Sequence, residues 1–104
     1  MRRGEVWWAR LPQPVGRRPV LLLSRDIVYE VRRSVTVAPL TRTVRDIPTE
    51  VLLDRSDGLP VDCVVNLDDI ATIPKARLDA PMATLSSGRM RLVDDAIRFA
   101  LDLS

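Results

Sequence analysis

The chain of 104 residues contains no histidine. That absence excludes imidazole as base, acid or triad partner, and with it paired-histidine phosphodiester chemistry. It also removes the commonest metal ligand. There is one cysteine, Cys63, which can close no internal disulfide and, without histidine, cannot build a zinc site of the usual kind. No apolar run reaches the ~18 residues of a membrane-spanning helix. The opening Met1-Arg2-Arg3-Gly4-Glu5 puts an acid directly after the basic pair, where a signal peptide would turn apolar. Internal repeats, linkers and low-complexity stretches are missing too. The expectation is one domain over residues 1–104, cytoplasmic, with no metal, cofactor or membrane partner.

What is present is ordinary for a folded chain: 46% hydrophobic and 29% charged residues, enough for one modest core and unlike a disordered tail. The net charge of +2 hides an asymmetry. Residues 1–55 hold eleven Arg against six acids, whereas residues 56–104 hold five Lys/Arg against eight Asp. All basic residues are arginine except Lys75. A guanidinium grips phosphate through two parallel hydrogen bonds, so a basic N-terminal half is consistent with a nucleic-acid partner. The plainer reading is a general preference for arginine over lysine.

Short apolar stretches recur between Pro, Gly and charged residues. Gly4 to Leu11 reads as a first strand and Pro19 to Ser24 as a central, buried second strand. Arg25 to Arg33 reads as a polar loop with a helical turn, and Val35 to Thr41 as a third strand. Pro39 inside it points to an edge or a bulge. Further strands are expected at Thr49–Leu53, Asp62–Leu67 and Ile70–Ile73, with a short extended piece near Met82–Thr84. The period then changes. Met90, Val93, Ile97 and Leu101 share one helical face, predicting a helix from about Ser87 to Leu103 with Ser86 or Ser87 as N-cap. Many short strands at regular spacing indicate a small barrel or sandwich.

Two segments stand out chemically. Gly16-Arg17-Arg18-Pro19 puts two guanidiniums at the mouth of a strand, on a loop stiffened by Pro19, a place where charge can be held against a phosphate; two solvated loop arginines is the plainer reading. Thr41, in Ala38-Pro39-Leu40-Thr41-Arg42-Thr43, ends an apolar strand, and its hydroxyl either donates to a phosphate or satisfies a turn. Trp7 and Trp8 must point to opposite faces of their strand, so one of them meets the other surface, where it stacks on a base, enters a partner interface or is covered by the helix or a loop. Asp68-Asp69 offers adjacent carboxylates, but strand neighbours diverge and no third ligand follows, so no metal site is expected. Asp94-Asp95 reads as solvated helix surface, Cys63 as inert core and Tyr29 as packing rather than stacking.

Taken in order, Arg3-Gly4-Glu5-Val6-Trp7, Arg18-Pro19-Val20-Leu21-Leu22, Val37-Ala38-Pro39-Leu40-Thr41, Asp62-Cys63-Val64-Val65-Asn66 and Ile70-Ala71-Thr72-Ile73 resemble the MazF/PemK-like toxins along nearly the whole chain. The resemblance implies a mainly β fold, an SH3-like barrel of about five to seven antiparallel strands with a C-terminal amphipathic helix, usually as a homodimer. It implies metal-independent cleavage of single-stranded RNA, by attack of a ribose 2′-hydroxyl on its own phosphodiester, leaving a 2′,3′-cyclic phosphate and a 5′-hydroxyl. It also implies a cognate antitoxin, commonly with an acidic and apolar tail, that covers the active site. The catalytic arginine of the family maps to Arg18 and its catalytic threonine to Thr41, with Gln13, Arg17, Arg42 and Arg45 as RNA-binding residues. An arginine such as Arg18 stays protonated near neutrality and is a poor general base, so its expected part is electrostatic stabilisation, with proton donation to the leaving 5′-oxygen as a second role.

One departure matters. The loop Pro12-Gln13-Pro14-Val15-Gly16-Arg17 is short and carries no acid, where many relatives have a longer, Gly-Ser-Glu-like stretch. The resemblance therefore assigns no base for the 2′-hydroxyl. Two rivals remain. A gyrase-binding CcdB-like toxin shares the barrel but relies on a C-terminal tail with Trp and Ile, unlike Phe99-Ala100-Leu101-Asp102-Leu103-Ser104. A catalytically inactive RNA-binding barrel would fit the lost loop but not the retained Arg18 and Thr41.

Overall fold

The computed structural model describes residues 1–104. Strands β1 (Glu5–Arg10) and β2 (Arg17–Leu22) precede a one-turn helix α1 (Val28–Val31). Then come β3 (Ser34–Thr41), β4 (Glu50–Leu53), β5 (Cys63–Asn66), β6 (Ala71–Pro74), β7 (Leu78–Thr84) and the helix α2 (Ser87–Ala100). No helix is long and apolar enough to cross a membrane.

All neighbouring strands run antiparallel, in the order β4-β5-β3-β2-β1-β7, with β6 also on β3. The count of seven strands sits at the top of the expected range. The sheet is not closed: no ladder joins β4 to β7. Closure rests on packing instead. Val51 and Leu53 of β4 and Met82 and Ala83 of β7 meet in one core with Val6, Leu21, Ala38 and Val65. Gly58, after β4, comes so near β7 that a Cβ would lie 3.2 Å from that of Ala83; its φ of +90° also demands glycine.

Alternation sorts the strands onto two cores. Val6 and Leu21 face the larger one, which α2 covers with Val93 and Ala96. Trp7, Val20, Leu22 and Val37 face a second core beneath Tyr29 of α1. The run Val20-Leu21-Leu22 is buried on both faces, as its unbroken apolarity requires.

Five features differ from the expectation. Pro39 lies in the most heavily paired strand, not at an edge. It falls between Val37, the last residue paired with β6, and Leu40, the first paired with β5, where the partner chain detours through a 3-10 turn at Leu67–Asp69; no amide is needed there. β7 has seven residues rather than a short piece, because it pairs with β1 from Glu5 to Ala9. β2 begins at Arg17, paired with Arg10, so both arginines sit on the strand and not on the loop before it. α2 is capped by Ser86, whose Oγ accepts the Arg89 amide N–H at 3.1 Å, but it ends at Ala100 and leaves Leu101 exposed. Asp94 is no free surface acid: Arg3 reaches it at 2.6 Å and ties the first strand's approach to α2.

Candidate active site

The ladder between β2 and β3 pairs Val20 with Pro39 and stops there. Continued by two residues, the same antiparallel register sets Arg18 opposite Thr41. The two strands part at this point, and a cleft of about 380 Å³ opens over Leu40, Leu59 and Met82, lined by Arg17, Arg18, Thr41 and Arg42. A second cleft of about 220 Å³ shares Arg18, Leu40 and Thr41 and adds Arg45, Asn66 and Asp69. Arg18 and Thr41 thus form the divide between two adjoining depressions.

Each of these groups has a defined state. Arg18 is exposed and enters no ion pair; its Nε donates to the Val15 carbonyl at 3.3 Å, leaving the outer nitrogens of the fork unengaged. Thr41 Oγ1 accepts the Thr43 amide N–H at 3.1 Å. The turn reading of this hydroxyl holds, and it leaves the hydroxyl hydrogen free to donate. Arg17 lies 4.3 Å above the Trp8 ring centroid, while its Nε donates to Asp79 Oδ2 at 2.9 Å. The result is a flat cationic and aromatic wall. Arg42 is exposed and unpaired by any carboxylate, whereas the Arg45 guanidinium leans toward Glu50, 4.0 Å away, whose other oxygen accepts the Arg45 amide N–H at 2.8 Å.

The structure therefore brings together Arg17, Arg18, Thr41, Arg42 and Arg45. Gln13 is not among them. It lines neither cleft, and its amide sits against Gly16, where a Cβ would come 3.6 Å from Nε2. The short loop folds back on itself there, with the Leu11 amide N–H donating to the Gly16 carbonyl at 3.0 Å. Trp8 also lines the larger cleft. The adjacency of two tryptophans signalled that one must leave the second core, and the pairing of Trp8 with Pro19 decides which.

Two other titratable groups, Cys63 and Tyr29, are held in the cores. Burial pushes the Cys63 thiol up, away from the reactive thiolate. Burial likewise lifts the Tyr29 phenol to about 12; its hydroxyl donates to the Ser24 carbonyl at 3.0 Å. Asp68 accepts the Thr49 hydroxyl at 2.6 Å, and Asp69 accepts the Asn66 amide at 3.0 Å.

Residues 2–101 match the sequence profile of the PemK-like, MazF-like toxins of type II toxin–antitoxin systems. The chain belongs to that family. It is 41% identical over 103 residues to the probable endoribonuclease MazF5 of Mycobacterium tuberculosis, covering 98% of this chain and 94% of that one. The solved M. tuberculosis toxin MazF-mt6 superposes with a TM-score of 0.89 at 37% identity, over 96% of this chain and 98% of that one. A mycobacterial endoribonuclease solved in complex with its cognate antitoxin follows at 0.88 and 30% identity, over 100% and 97%. The open sheet with its C-terminal helix is thus the MazF-like fold. Relatives of this identity are named endoribonucleases rather than gyrase poisons, which sets the CcdB-like reading aside.

Proposed function

We propose that this MazF-like chain is a metal-independent endoribonuclease of the cytoplasm. It cleaves single-stranded RNA at short sequences and so arrests translation and growth. The observation that carries this reading is the opposition of Arg18 and Thr41 on the divide between two arginine-lined clefts. The names and structures of its relatives support it.

The chemistry follows from those two side chains. A ribose 2′-hydroxyl is already attached beside the phosphodiester it attacks, so proximity is supplied by the substrate. Charge builds on the phosphorane oxygens, where a fixed guanidinium and a hydroxyl donor lower its energy. Arg18 supplies the first. Thr41, steadied by the Thr43 amide, supplies the second. Arg42 and Arg45 hold flanking phosphates, and the Arg17–Trp8 wall offers a base a stacking surface.

The whole chain is read as one toxin domain. The relative solved with its cognate antitoxin supports a protein inhibitor here too; an acidic and apolar segment would suit a cleft with an arginine rim and a Leu59–Met82 floor. Leu52 of β4 and Leu92 and Phe99 of α2 are exposed, which supports a homodimer that covers them.

The test is incubation of the purified protein with mixed-sequence single-stranded RNA in EDTA, mapping every new end. Cuts at a recurring short sequence with 5′-hydroxyl ends are expected. Failure of the folded protein to cut, or cutting that requires a divalent ion, would overturn the reading.

A further inference from the structure

Attack by a 2′-hydroxyl requires a group to take its proton, and neither Arg18 nor Thr41 can do so. We propose that Asp69 is the general base of the cleavage step. The inference rests on the ribonuclease reading above and deepens it.

Elimination narrows the field. The chain has no histidine, and Cys63 is a buried thiol. Among the carboxylates, Asp54 and Asp57 pair with Arg89, Asp79 with Arg17, Asp94 with Arg3 and Asp95 with Arg98. The carboxyl of Glu50 is tucked under the loop it braces, accepting the amides of Arg45 and Asp46. Asp68 turns to the Thr49 hydroxyl and lines neither cleft. Asp69 is the one carboxylate that lines a cleft together with Arg18 and Thr41.

Its placement suits the task. Asp69 ends the 3-10 turn at Leu67–Asp69 that bridges the gap opposite Pro39. Asn66, only 5% exposed, is fixed at the base of that turn. Its Oδ1 accepts the Asp68 amide N–H at 2.9 Å, and its Nδ2 donates to Asp69 Oδ2 at 3.0 Å. One carboxylate oxygen is therefore held while Oδ1 is left to accept a proton. The turn is already capped through the Asp68 amide, so the Asn66–Asp69 bond is not needed to form it. Arg18 and Arg45 in the same cleft offset the repulsion between this carboxylate and an incoming phosphodiester. In the step, Asp69 Oδ1 takes the 2′-hydroxyl proton as the 2′-oxygen–phosphorus bond forms. The bond from phosphorus to the 5′-oxygen breaks, that oxygen gains a proton from solvent, and Asp69 returns its own to solvent.

The variant to make is Asp69→Asn, whose side-chain oxygen still accepts from Asn66 and so spares the fold. Single-turnover cleavage of an RNA with a mapped site should fall about 100- to 10,000-fold. Binding of the same RNA with a 2′-deoxyribose at the scissile position should hold or tighten, because a negative charge has gone. Replacing the leaving 5′-oxygen by sulfur should leave the defect in place, since the missing group acts on the nucleophile. Asp69→Glu should recover part of the rate. Cleavage by Asp69→Asn at the wild-type rate would overturn the assignment, as would full rescue by the sulfur leaving group, or a loss explained by weaker binding. A wild-type protein that cuts no RNA would instead overturn the ribonuclease reading itself.

Discussion

The two ends of the β2–β3 pair are made of the same strands and do opposite things. At Val20, Leu21 and Leu22 the pair is in register with Pro39, Ala38 and Val37, and these three β2 side chains are essentially inaccessible. Two residues earlier the strands part, and Arg18 stands exposed across from Thr41. The buried end fixes backbone positions; the open end carries that rigidity to an exposed guanidinium, which in the proposed reaction holds charge against a phosphate. A guanidinium on a mobile loop would have to be ordered at the moment of reaction. Starting β2 at Arg17 rather than at Pro19 therefore also fixes where the two guanidiniums stand.

Variants can separate the two ends. Leu21→Ala should lower unfolding free energy by about 2–5 kcal/mol, read by urea titration, while the molecules still folded keep their cleavage rate. A rate loss larger than the unfolded fraction explains would join the two ends that the comparison separates. On the second core, the Tyr29 phenol is raised from 10.0 to about 12, so the folded state holds its proton more tightly than the unfolded state. That contribution, about 3 kcal/mol, is fully present below pH 10 and is lost as pH rises through about 12. Melting temperature should fall over that window, and Tyr29→Phe should flatten its part of the fall. The mildest change is at the rim. Arg42→Ala should weaken RNA binding and lower the slope of log affinity against log salt by about 0.7 for one lost phosphate contact to a single strand. Arg45→Ala should lower it less, because Glu50 already holds that side chain. Equal slopes for both variants would show that Glu50 releases Arg45 to the RNA.

Most strands were legible because burial on one or both faces leaves a pattern of period two or an unbroken apolar run, as in Val20-Leu21-Leu22. What escaped depended on partners far along the chain. Pro39 obeys the rule that proline avoids paired amides, but the gap it exploits is made by residues 67–69. Leu101 continues the stripe of Met90, Val93 and Ile97 yet lies past the end of α2, since periodicity does not say where a helix stops. At the candidate site, the strand-end motifs put Arg18 and Thr41 near the ends of β2 and β3, where they line one cleft. Gln13 lies outside both clefts, because a short loop that bonds to itself carries its side chain away. Asp69 looked like half of a carboxylate pair, and only the turn that parts it from Asp68 gives it a separate place.

In the proposed reaction Arg18 and Thr41 act on one phosphate as a unit. Its most direct test is a double-mutant cycle on single-turnover RNA cleavage with Arg18→Ala, Thr41→Val and the double variant. Arg18→Ala should lose about 100- to 1,000-fold at unchanged melting temperature, and the double variant should fall well short of the product of the two single losses. Wild-type cleavage by Arg18→Ala, or two losses that simply multiply, would contradict it.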